Sequence, residues 1–168
     1  DAADVIVTEK RGQWPDFARS EALADELVRP LLERGDVVVL PGFIAQGPAG
    51  EVVTLGRGGT DFSAAIMARS LRASEVTLWK EVHGLMTADP LAVPEARVIP
   101  EMHYREAAEL AYYGAKVLHP RTMIPLIERE KLPEGIPKKF GLVTLHRPSN
   151  VDSKEALTSV LNFLVDVS

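Results

Sequence analysis

At 168 residues, with 46% hydrophobic and 26% charged side chains, the chain has the composition of one soluble globular domain. A net charge of −5 with scattered lysines and arginines argues against the basic footprint of a nucleic-acid binder, and the absence of cysteine excludes disulfides and thiolate metal sites. There is no signal peptide and no apolar run long enough for a bilayer, so a cytoplasmic protein is expected; the start at Asp1, with all four methionines internal, reads as a piece cut from something longer.

In chain order, Asp4–Thr8 and Asp36–Pro41 are nearly continuous apolar runs and predict buried strands. Between them Leu23, Leu27 and Leu31 recur at helical spacing, Gly35 stops the helix, and Pro30 bends or restarts it. Strand, helix and strand predict a βαβ unit with a parallel pair. Gln46–Gly50 is turn chemistry, and Glu51–Leu55 reads as a strand entering the glycine loop Gly56–Ser63, GRGGTDFS. Asp61–Leu71 is apolar around most of its girth and predicts a buried helix. Glu75–Trp79 is a further strand, and Ala88–Pro100, with three prolines, an irregular loop. A helix over Tyr104–Tyr113 stops at Gly114, and another opens at Pro120, runs to about Arg129 and is strained at Pro125.

The sequence reads as a single domain, residues 1–168. Residues 1–130 form its main portion, 131–140 a loop or joint, and 141–168 a strand (Leu142–Leu145) followed by an amphipathic helix (Asp152–Val165).

A glycine-rich turn entering a helix aims backbone N–H groups at one point, where the helix dipole adds partial positive charge. Arg57 adds a planar fork suited to a carboxylate or phosphate. An anion site follows, with a plain tight turn as the alternative; the spacing is neither that of a P-loop nor that of a dinucleotide fingerprint. Asp61 reads first as a helix cap and second as a group that orients a cation or a reacting atom. His83, His103 and His119 are not at metal-ligand spacing, so no metal site is expected.

Five blocks in order, VVLPGFIA (Val38–Ala45), TLGRGGTDFS (Thr54–Ser63), LWKEVHGLMTADP (Leu78–Pro90), VPEARVIP (Val93–Pro100) and ELAYYGAKVLHPRT (Glu109–Thr122), resemble aspartokinase, which phosphorylates the β-carboxylate of aspartate with ATP. The resemblance covers about Asp1 to Glu128 and implies the amino-acid-kinase fold, an α/β three-layer α/β/α sandwich with a mainly parallel central sheet. It places Arg57, Gly58, Gly59 and Thr60 on the aspartate side and Asp61 at the transfer site. Trp79, Lys80, Glu81, Met86 and Lys116 fall on the nucleotide side, and ATP with Mg²⁺ is the implied cofactor. Trp79 reads equally as packing. Where many members have Thr-Asp the chain has Lys80-Glu81, and Met86 and Leu91 replace a common tyrosine and arginine.

The family's Lys-Phe-Gly-Gly strand, which supplies a phosphate-binding lysine, is not in the sequence. The tail from Gly141 resembles the start of the second domain of UDP-N-acetylglucosamine 2-epimerase, with His146 and Arg147 at the positions of its sugar-nucleotide cleft. His146 reads more simply as a polar residue at a strand's end.

The expectation is therefore a chimeric or truncated aspartokinase-derived domain, completed by a foreign strand and helix, without turnover by itself and retaining weak ATP or anion binding. The alternatives are a kinase subunit completed by a missing half, and an epimerase fragment. Expected partners are ATP, aspartate and, through an exposed sheet edge, a second copy.

Overall fold

In the computed structural model the described residues are 1–114, 117–130, 143–144, 154–155 and 158. A 3-10 turn (Ala2–Asp4) feeds the buried run Val5-Ile6-Val7 into β1 (Thr8–Lys10), which pairs antiparallel with β2 (Trp14–Pro15). Asp16 caps α1 (Phe17–Leu27) by accepting the amide of Arg19 at 3.0 Å. The chain breaks at Val28 and restarts as α2 (Arg29–Glu33), with Pro30 in the first turn, where a missing N–H forfeits no helical bond. The restart expected at Pro30 is present.

The strand expected at Asp36–Pro41 is not. Val37 and Val39 are 57% and 67% exposed, while Val38 and Leu40 pack on the core, so the segment alternates as a strand does. Apart from the Asp36 amide, which donates back to the Leu31 carbonyl at 3.0 Å, its backbone makes no hydrogen bond among the described residues, and without a ladder there is no strand. The parallel partner of the first run lies further on: Val7 bridges Gln46, at the end of β3 (Ile44–Gln46). β3 forms an antiparallel hairpin with β4 (Val52–Thr54) through the Gly47–Gly50 turn.

The loop Gly56–Gly58 leads into α3 (Gly59–Leu71). β5 (Thr77–Leu78), α4 (Tyr104–Tyr113), a 3-10 turn (Pro120–Thr122), α5 (Met123–Glu130) and β6 (Val143–Thr144) follow. α4 ends at Gly114 as expected. Pro125 is not strained, because α5 starts at Met123 and Pro125 falls in its first turn. β6 pairs parallel with β5, Thr77 opposite Val143 and Leu78 opposite Thr144. The described strands thus form three two-stranded pairings, two of them antiparallel, rather than one mainly parallel sheet.

α3 is the helix around which the rest packs. Eleven of its 13 residues are buried. Phe62, Ile66, Met67 and Leu71 meet Ile6, Ala24, Val28, Ala45 and Leu55 on one side. Ala65 and Ala68 meet Ala107, Met123 and Leu126 on the other. The many alanines and serines let α1 and α5 approach closely, and burial all round explains why the sequence lacks a polar stripe here. Glu21 joins α1 to α3. It accepts from Arg72 at 2.6 and 3.1 Å, and Arg69 lies 3.7 Å away with its guanidinium over the Phe17 ring. Glu21 thus ties α1 to the last turn of α3, while the two hydrophobic clusters hold the helix on opposite sides.

Candidate functional site

The glycine loop approaches α3 through Gly58 in the left-handed conformation, φ +70°. A Cβ at Gly58 would lie 2.6 Å from the His119 Cβ, so both the backbone angle and the close approach demand glycine. No side chain caps the helix. The amides of Gly59 and Phe62 are used by Gly56 and Gly58 carbonyls, whereas those of Thr60 and Asp61 have no partner among the described residues. Arg57 is exposed and makes no ion pair among the described residues. Two free amides at a helix start beside an unpaired guanidinium are the elements of an anion site.

Asp61 does not cap. It sits inside the helix as its third residue, 5% exposed, and its Oδ2 accepts from Lys80 Nζ at 2.5 Å. Its Oδ1 is buried and unpartnered. The cap expected from residue type fails because the helix begins two residues earlier, at Gly59. Lys80 follows β5, so this bond brings the loop's first helical turn against the Trp79–Met86 segment. The residues assigned to the acceptor side and to the nucleotide side therefore touch.

Arg121, not singled out by sequence, underpins the loop. Its Nη1 donates to the Leu55 carbonyl at 3.0 Å, and its Nη2 to the carbonyls of Gly12 and Gln13 at 3.2 and 2.6 Å. Its guanidinium lies 4.6 Å over the Phe62 ring. Its backbone amide donates to His119 Nδ1 at 3.3 Å. Burial, then the Arg121 and Arg57 charges, push the His119 imidazole below its ordinary value, so it stays neutral. The bond at Nδ1 leaves the ring proton on Nε2. The only trace of Arg121 in the sequence is its place at the end of the HPRT block.

Of the other expected residues, Gly59 is buried against the Phe43 ring, Thr60 is half-buried, Trp79 is 49% exposed, Glu81 is exposed and Met86 is half-buried, bridged to Val98. Lys116, His146 and Arg147 lie outside the described residues. Among the described residues no group of three His, Asp or Glu could hold a metal ion, and no helix is long and apolar enough to cross a membrane.

The chain is similar to known proteins in sequence and fold. The model of the amino acid kinase family matches residues 2–132, and the chain belongs to that family. Its relatives there are aspartokinases. It is 49% identical over 106 residues to a bifunctional aspartokinase/homoserine dehydrogenase of Haemophilus influenzae, covering 63% of this chain and 12% of that protein. It is 44% identical over 141 residues to the lysine-sensitive aspartokinase 3 of Escherichia coli, covering 81% and 31%. The structure of E. coli aspartokinase III with aspartate and ADP superposes with a TM-score of 0.70 at 40% identity, over 85% of this chain and 31% of that one. The same enzyme with lysine and aspartate matches at 0.68 and 33% identity, over 99% of this chain and 44% of that one. The chain thus spans 12 to 31% of the length of these two curated relatives.

The comparisons support the aspartokinase relationship and give no support to a joined epimerase unit or a chimera. One βα unit with a Thr-His-Arg run is too short a pattern to define a family.

Proposed function

We propose that the chain carries the acceptor side of an ATP-dependent aspartate kinase site, at which the β-carboxylate of aspartate takes the terminal phosphoryl group of ATP. The observation that carries this reading is the contact of Asp61 with Lys80, which draws the glycine loop against the nucleotide-side segment. Phosphoryl transfer is mostly positioning and charge stabilisation. Arg57 and the free amides of Thr60 and Asp61 would grip the substrate carboxylate, with Gly58 and Gly59 admitting it close to the backbone. Asp61 would hold Lys80 towards the transferred phosphoryl group, and Trp79, Glu81 and Met86 would border the nucleotide. ATP supplies the phosphoryl group. Mg²⁺ does not fit a cage of described residues and enters this reading only as the nucleotide's counter-ion. Structures of a relative with aspartate and ADP support the ligand classes.

Two finer readings belong to the same proposal. The three-layer sandwich is the architecture that α1, α3 and α5 around short strands would complete. A second copy of the chain is the partner that the Val37–Leu40 backbone, unpaired among the described residues, would accept.

Calorimetric titration of the chain with aspartate and with Mg-ATP tests the reading, and an aspartyl-phosphate assay decides turnover by the chain alone. Aspartate should bind, and Arg57→Gln should weaken it by about tenfold or more while leaving stability within about 0.5 kcal/mol, since the side chain is exposed and unpaired. No heat and no thermal shift at millimolar ligand would remove the proposal.

A further inference from the structure

Arg121 reaches each support of the glycine loop from a distant part of the sequence. The Leu55 carbonyl precedes Gly56, the Gly12 and Gln13 carbonyls form the β1–β2 turn, and the Phe62 ring belongs to the first turn of α3. The separations are 66, 109 and 108 residues for the three carbonyls. The turn is itself wedged under the loop's approach: a Cβ at Gly12 would lie 2.0 Å from the Thr54 carbonyl oxygen. A Cβ at Gly56 would meet Arg121 Nη1 at 3.9 Å. Through its own backbone Arg121 also sets His119, whose Cβ backs Gly58.

The chemistry of these bonds matters as much as their number. A partly buried guanidinium commonly takes a carboxylate. Arg121 bonds only neutral carbonyls, and no carboxylate pairs with it among the described residues. Carbonyl dipoles satisfy its N–H groups without cancelling its charge, which a guanidinium keeps at any ordinary pH. Arg57 is likewise uncompensated, while Lys80 is spent on Asp61. The free amides of Thr60 and Asp61 thus follow a loop flanked by two arginines that have no carboxylate partner among the described residues, one exposed and one fixed.

We infer that Arg121 is the positioning residue of the glycine loop, holding Gly56–Asp61 in its anion-receiving shape and supplying from beneath a second positive charge to the bound carboxylate. The inference rests on the acceptor-site reading above. It places the specificity for an anionic group partly in a side chain that does not touch the ligand.

Arg121→Gln and Arg121→Lys, made in the full chain, test it with three readouts: aspartate affinity, hydrogen exchange of the loop amides that are bonded, those of Gly59 and Phe62, and the His119 ring titration by NMR. The glutamine variant should bind aspartate about tenfold or more weaker, exchange the loop amides faster than α1 and α5, and titrate His119 at higher pH. Lysine keeps the charge but not the fork, so it should return His119 towards its wild-type titration without restoring loop protection or affinity. Wild-type affinity and loop exchange in both variants would overturn the inference. So would a loss of protection spread evenly over all helices with His119 unmoved, the mark of a mere brace. If neither variant folds, the wild type decides: Gly59 and Phe62 amides exchanging as fast as an open loop, or His119 titrating at its ordinary value, would overturn it. If the wild type binds no aspartate, the kinase reading fails, while the exchange and titration readouts still judge Arg121.

Discussion

Asp61 and Lys80 are nearly buried, with side-chain exposures of 7% and 17%, and they meet through one carboxylate oxygen. Removing one partner leaves the other charge stranded. Asp61→Asn should therefore cost about 3–5 kcal/mol in denaturant unfolding, and Asp61→Asn combined with Lys80→Met should cost less than the single change. A double variant no better than the single one would mean that the pair is solvated in solution. His119 gives a pH signature. Its ordinary value is 6.5 and its folded value lies lower, so as pH falls below about 7 the unfolded state takes up a proton that the folded state refuses. Stability should be full above that point and decline as pH falls through it, and His119→Gln should flatten the decline in a thermal-melt series. The residue types on the loop were legible in the sequence. The partner of Asp61 was not, because a contact across 19 residues depends on where β5 delivers Lys80.

At the scale of elements, local signals were read well where they act locally. Pro30 and Gly114 placed a restart and a stop because a missing N–H and a missing Cβ act within one turn. The strand expected at Asp36–Pro41 was misread because its apolar alternation is intrinsic, while a ladder needs a neighbour that pattern does not reveal. The loop's entry to α3 was also legible, and it can be tested. Gly58→Ala meets both a positive φ and the His119 Cβ, so it should cost about 1–3 kcal/mol and displace the Thr60 and Asp61 amides, visible as their chemical-shift change. An alanine variant as stable as the wild type would show that the loop is not held in this shape.

At the scale of the molecule, α3 carries both hydrophobic clusters, and the site sits on its first turn. Stability and site geometry are therefore coupled through one helix. Among the described residues the Val37–Leu40 backbone has no partner, with Val37 and Val39 exposed. Such an edge recruits a strand. Light scattering should find the chain self-associated, and Val39→Lys should shift it to monomer without lowering its melting temperature. A monomeric wild type would dismiss pairing along this edge.

The sequence by itself determined the glycine loop, the buried character of α3, the helix boundaries set by proline and glycine, and the family to which five ordered blocks point. Each is written in residues close together along the chain. Only the tertiary structure decided that Asp61 binds Lys80 instead of capping, that Arg121 braces a loop more than sixty residues away, and that the Val37–Leu40 run joins no ladder among the described residues. Those outcomes depend on which distant groups fold together, and a buried charge or an open ladder is satisfied by whichever partner the packing brings within reach.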